Sequence, residues 1–427
     1  MGKGFITAQL GYKNVLITIQ LLINDTASTT FLLSGNVLPN LSPTVVPLYG
    51  ALLLLLSQRI QAEFFNVHKP DRTLIVLSAP SIWFVIMNLS SFYNYIELNI
   101  FLFRDDNYHD LFETIIAFQI EFAKTIHEHD NVVILADKHT LPYLDGRSPS
   151  VKSRLPLDAL IQASVYDINI RDFAPFGVRQ LVKFSYRPPN FATIAARQID
   201  ESIKRFIEDY KIRVDKKELE LILSAQHVVD NGINRAIIDK RVLDENQGKI
   251  PEWAIMIKLF NAFRKVTIVD NPMNTTQLRL DDVMSFIDDQ ILVIPTLDKD
   301  MRAYLDAELF KKFHDEVMLI DLPAYLDKDR RGNCGMYTAI LATDKFLYVP
   351  VFGNDPGNWK RGHSTMMDKI IIHMIEVNTR KTVVPVNVPR TICERGISLR
   401  SLAWTLRGNV ADHVIQVARG TPAKMFA

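Results

Sequence analysis

Beyond about residue 60, short uninterrupted apolar runs alternate with longer stretches whose apolar positions fall three and four apart. TLIVLSA, starting at Thr73, is followed by LFETIIAFQIEFAKTIHEH and then NVVILAD. The same order recurs through RQLVKFSY, AARQIDESIKRFIEDY, LELILSA, KVTIVDN, DQILVIPT, KFLYVPVF, MMDKIIIHMIE and TVVPVNV. Short runs rich in Val and Ile predict buried strands, and helical periodicity between them predicts amphipathic helices. An α/β fold follows. The units recur at very roughly 60 to 80 residues, a spacing that fits either a supersecondary unit repeated around a pseudo-axis or an open sheet.

The first 59 residues read differently. VLITIQLLI from Val15 and TTFLL ending at Leu33 predict two short strands around a polar NDTAS break, followed by a loop rich in Pro, Asn and Ser. VVPLYGALLLLL, residues 45–56, predicts a buried apolar helix. With Pro47 and Gly50, it falls short of the roughly 20 residues that span a bilayer. We therefore expect an N-terminal extension over residues 1–59. No Gly-, Pro- or Ser-rich linker interrupts the remainder, so residues 60–427 are expected as one domain with a short C-terminal tail.

Composition narrows the function. Forty-nine Lys and Arg against 48 Asp and Glu leave a net charge of +1, with no basic block to track phosphates, so nucleic acid is not an expected partner. Only Cys334 and Cys393 are present, which argues against a disulfide framework or a Cys-rich metal site and suits a reducing compartment. The first twenty residues lack signal-peptide and transit-peptide patterns, and a cytoplasmic location is expected. The sequons at Asn24, Asn40, Asn88 and Asn274 then carry no weight.

Candidate chemistry is sparse. His127 and His129 could face one metal on extended backbone, but they end a helical pattern and read better as polar residues at a helix C-terminus. Residues 327–333 (DKDRRGN) read as a solvated turn, and 352–359 (FGNDPGNW) fit neither a dinucleotide nor a Walker loop. No HExxH or GxSxG occurs. No metal or cofactor is expected. Residues 165–177 (VYDINIRDFAPFG) place Asp167, Arg171 and Asp172 just after an apolar run, where the carboxylates could hold a cation or close an internal salt bridge with Arg171.

That last segment resembles the NDxWxRDxGP signature of agmatine deiminase, and five other stretches match in the same order. QAEF at Gln61, with His68, Thr73 and Trp83, is similar to the PAEW...H...T opening. Residues 219–246 are similar to EGGN, DG and a Thr-rich strand. Residues 278–288 (LRLDDVMSFID) take the place of DGHxDxxxxF, 334–353 that of SYxNFxxxNxxxxxPxFG, and 394–404 (ERGISLRSLAW) that of GGGxxHC. The resemblance covers residues 60–407. It implies the guanidine-modifying (pentein) superfamily, which includes the peptidylarginine deiminases, and a five-bladed α/β propeller behind the N-terminal extension.

The reaction of that superfamily needs acids to grip a guanidinium, a Cys thiolate to attack it and a His to move protons. By resemblance Asp172 and Asp281 hold the acid positions, with Asp167 and Asn169 beside them. The Cys position is Ser401, the His of DGHxD is Arg279, the His before the Cys is Arg400, the Trp is Asn169, and the Gly-rich turn is Ser224-Ala225-Gln226. An unactivated alcohol is a far weaker nucleophile than a thiolate, and losing one triad member usually costs several powers of ten in rate. Cys393 reads as structural rather than as a displaced nucleophile.

Two new arginines would repel a cationic substrate, and we expect Arg279 or Arg400 to pair with Asp172 or Asp281, filling the cradle with the protein's own guanidinium. The expected function is a catalytically inactive deiminase-fold protein acting as a structural, assembly or binding subunit, with other subunits or a second copy docking through residues 1–59. The alternatives are a guanidine-modifying hydrolase with an altered site and a non-catalytic sensor of a small guanidinium ligand.

Overall fold

The computed structural model describes residues 4–12, 15–23, 30–34, 73–80, 110–148, 154–188, 193–273, 278–314, 317–324, 332–353 and 365–424. The chain divides into two compact units, Met1–Asn66 and Val67–Ala427. In the first, β1 (Gly4–Tyr12), β2 (Val15–Ile23) and β3 (Thr30–Ser34) form an antiparallel sheet in that order. The two strands read from the sequence are β2 and β3; β1 is a third. It carries Gly4 and Gly11, a residue type depleted in strands, and so gave a weak signal. The apolar run 45–56 lies outside the described residues, as do 327–331 and 354–359.

In the second unit, β4 (Leu74–Ser78), β5 (Asn131–Ala136) and β6 (Leu160–Gln162) are parallel neighbours. Parallel pairing requires a crossover, and α1 (Phe112–His129) supplies the one from β4 to β5. It buries Ile115, Gln119, Phe122 and Ile126 on one stripe, and His127 and His129 fall in its last turn. A short α2 (Leu141–Leu144) follows β5. The next sheet pairs β7 (Val182–Ser185) with β8 (Lys216–Ile222) in parallel across α3 (Thr193–Asp209).

Thereafter one unit repeats: a strand antiparallel to a central strand, a helical crossover, and a strand parallel to the central one. First come β9 (Val228–Asp230), β10 (Arg235–Asp239), α4 (Arg241–Glu245), α5 (Glu252–Ala262) and β11 (Lys265–Val269). After a short α6 (Leu280–Val283) come β12 (Ser285–Asp288), β13 (Ile291–Pro295), α7 (Lys299–Phe313) and β14 (Met318–Leu322). The last is β15 (Leu341–Ala342), β16 (Phe346–Val351), α8 (Thr365–Glu376) and β17 (Thr382–Asn387).

Beyond α9 (Arg390–Cys393), β18 (Ala403–Leu406) pairs antiparallel with β4, completing the same unit for the first sheet from the far end of the chain. The described part of this unit thus holds five small sheets. Strands β4 and β16 are buried along their whole length, as their nearly unbroken apolar runs require; β10 is buried as well, with the charged Arg235 and Asp239 at its two ends.

Two expectations need correction. The C-terminal residues are not a tail: α10 (Gly408–Lys424) buries Ala411, Val414, Ile415 and Ala418 at helical spacing against Leu74, Val76 and Trp404. Nor are the cysteines unpaired. Cys334 and Cys393 form a disulfide with Cα atoms 4.9 Å apart, which removes the ground on which a reducing compartment was expected. Counting cysteines could not show that α9 returns beside residue 334. Gly332 makes the approach possible: a Cβ there would meet the Cys393 carbonyl oxygen at 2.2 Å, and its φ of +71° favours glycine. The neighbouring Asn333 amide donates to that same oxygen at 2.7 Å.

Candidate functional site

The short elements after β6, β8 and β11 carry the ionisable side chains that meet in the core. A helical turn at Ile170–Asp172 follows Asn169, whose amide donates to the Asp167 carboxylate at 2.8 Å; Asn169 Nδ2 reaches the same oxygen at 3.2 Å. Asp167 therefore shapes this turn, and Asp172 leaves it towards α6. Arg279 stands at the N-cap of α6 with extended backbone (φ −79°, ψ 149°), and Asp281 and Asp282 occupy the first turn, both fully buried.

Arg279 lies between the two acids. Its Nη1 donates to Asp172 Oδ2 at 2.9 Å and its Nη2 to Asp172 Oδ1. Its Nε donates to Asp281 Oδ1 at 3.1 Å, and Nη2 also reaches Asp281 Oδ2 at 3.3 Å. One planar guanidinium is forked onto two buried carboxylates, the arrangement that fixes such a group most firmly. Arg171 does not pair with its neighbour Asp172. It turns the other way, donating from Nε to Asp281 at 3.2 Å and from Nη2 to the Val228 carbonyl at 3.2 Å, with Asp230 at 3.6 Å.

Crowded carboxylates raise one another's affinity for protons. Burial, opposed by Arg279 and reinforced by Asp281 and Asp167, pushes Asp172 up to about 7. Burial and Asp281 push Asp282 up to about 7 as well. Burial works against the charge on Arg279, but Asp172, Asp281 and Asp282 overcome it and hold this guanidinium well above its ordinary value.

Ser401 is fully buried, and its hydroxyl is spent locally: Oγ donates to the Ser398 carbonyl at 2.9 Å and accepts from the Ser398 amide at 3.1 Å. Among the described residues no base is bonded to it, so the hydroxyl has nothing to activate it. Arg400 does not join the acids. Its Nη1 donates to Ser285 Oγ at 2.8 Å and to the Met284 carbonyl at 3.4 Å. Burial, then the like charge of Arg171, pushes it down to about 10. Among the described residues no group of His, Cys, Asp and Glu is arranged to hold a metal, and His129 stacks on Phe346 with ring centroids 4.8 Å apart.

Two neighbours of this site were not singled out by the sequence reading. Asp282 accepts from Asn333 Nδ2 at 3.0 Å, and the doublet with Asp281 was its only visible sign. His227 sits in the turn Ala225–His227 between Asp239 at 3.6 Å and Glu245 at 3.5 Å. Burial lowers its proton affinity, but those two carboxylates outweigh it and raise His227 to about 9.

No family model and no curated protein sequence matches the chain. Solved structures do match in fold. A Cys-to-Ser variant of C. jejuni agmatine deiminase with substrate bound is 18% identical, with a TM-score of 0.55 over 79% of this chain and 93% of that one. Agmatine deiminase of Enterococcus faecalis is 14% identical, with a TM-score of 0.55 over 79% and 93%. At these identities the likeness is one of fold. The chain has the α/β fold of the agmatine deiminases.

Proposed function

We propose that this protein is a deiminase-fold chain without deiminase activity, acting as a structural, assembly or binding subunit, and that its five sheets are the blades of an α/β propeller. The observation that carries the functional reading is the double fork of Arg279 onto Asp172 and Asp281. By the resemblance in motifs those acids correspond to the ones with which a deiminase would grip the guanidinium of its substrate, and here an internal guanidinium is bonded to both. A soluble guanidine would have to displace a side chain already tethered at the site, leaving Arg279 to be re-paired elsewhere. Ser401, with its hydroxyl bonded only to Ser398, supplies no activated nucleophile.

The direct test is incubation of the full-length protein with agmatine, arginine and a peptidylarginine, following ammonia and ureido product. The reading expects neither product above the uncatalysed background. Turnover that disappears in Ser401→Ala or Asp281→Asn would replace it with an enzyme working through an altered site.

A further inference from the structure

On the side of Arg171 away from Asp172 lies a second group of charges, of opposite sign to the carboxylate pair. A cavity of about 40 Å³ is lined by Arg171, Lys381, Arg400 and Arg407, with Asp230 as the lining carboxylate. That is room for a few waters or one small polyatomic ion.

The pairing within this group is uneven. Arg171 is bonded to Asp281, with Asp230 at 3.6 Å. Arg407 pairs with Asp344 at 2.9 Å and donates from Nη1 to the Gly232 carbonyl at 3.0 Å. Gly232 lets that guanidinium lie against the backbone: its φ is +72°, and a Cβ would meet the Arg407 nitrogens at 2.8 and 2.9 Å. Arg400 and Lys381 are the other two cations of the lining. Arg400 is 6% exposed and uses only Nη1, on Ser285 and Met284, which leaves Nε and Nη2 available. Neither it nor the half-buried Lys381 has a carboxylate within ion-pair distance among the described residues.

A buried cation without a directly bonded counter-charge is costly, and Arg400, with the half-buried Lys381 beside the same cavity, calls for an anion. We propose that this cavity is a binding site for a small oxyanion, a phosphate or a carboxylate, held by Arg400 and Lys381 with Arg171 and Arg407 around it. Guanidinium forks match the geometry of such oxygens. Burial lowers the proton affinity of both groups; for Arg400 the like charge of Arg171 adds to this against the pull of Asp281, Asp230 and Asp282, and for Lys381 Arg407 adds to it against Asp288, Asp344 and Asp289, so the more distant carboxylates offset burial only in part. An anion would relieve that strain. The cavity adjoins the carboxylate cradle through Arg171, which is bonded to Asp281, but its ligand would be an anion, so failure of anion binding and detection of deiminase turnover are separate outcomes.

The test is calorimetric titration of the full-length protein with inorganic phosphate and, in a second arm, with succinate, at ionic strength held constant with chloride. Binding of at least one of these should be saturable and weakened by about tenfold or more in Lys381→Met and in Arg400→Met. The two arms distinguish phosphate from carboxylate. Near-UV circular dichroism checks that each variant is folded, and the partial exposure of Lys381 makes its variant the safer of the two. Absence of saturable binding in both arms, or equal binding by wild type and a folded Lys381→Met, would overturn the proposal.

Discussion

Arg279 is held by four hydrogen bonds to carboxylates that are themselves almost wholly buried, so its removal would leave Asp172 and Asp281 facing each other, with Arg171 still bonded to Asp281. Breaking a buried pair from one side costs on the order of 3–5 kcal/mol. His227 is another charge buried among carboxylates, and its pH signature follows from them. Its folded proton affinity, raised to about 9, exceeds the unfolded value near 6.5, so its contribution is fully present below that value and is lost as pH rises through 9. Asp172 and Asp282, raised to about 7, act in the same direction at lower pH. Unfolding free energy measured by urea titration should therefore fall between pH 6.5 and 9.5. In His227→Gln that fall should shrink by up to about 3 kcal/mol; an unchanged slope would refute the assignment. Of these residues, Asp172, Asp281 and Arg279 were legible through a resemblance in short motifs. The turn of Arg171 away from Asp172 was not, because its partner lies 110 positions along the chain.

At the level of elements, the alternation of apolar runs and amphipathic stretches carries the α/β order well, since burial on both faces of β4 and β16 leaves a nearly unbroken apolar signature. It carries nothing about which strand pairs with which. The joining of β18 to β4 links positions more than 300 residues apart, and no local period encodes it. The Cys334–Cys393 bond is illegible for the same reason. It closes a separation of 59 residues, which on loop-entropy grounds contributes about 4 kcal/mol. Thiol titration in denaturant should find no free thiol before reduction and two after. Reduction under native conditions should lower the melting temperature; two reactive thiols in the untreated protein would contradict the pairing.

Considered whole, the molecule joins a five-sheet unit to a small antiparallel sheet within the first 66 residues. A three-stranded sheet offers unpaired edges to another chain, and we propose that this extension docks a partner or a second copy. Light scattering on the full-length protein and on a chain starting near Gln61 should give a larger assembly only for the former. The same monomer in both would count against self-association.

We propose that Arg279, bonded to both Asp172 and Asp281, takes the place of a guanidine ligand, and agmatine calorimetry on wild type and on Arg279→Ala tests that most directly. Wild type should show no binding, whereas Arg279→Ala should bind agmatine and gain thermal stability from it, and both effects should vanish when Asp281→Asn is added. Agmatine bound by the wild type with an affinity that Arg279→Ala does not improve would contradict the account.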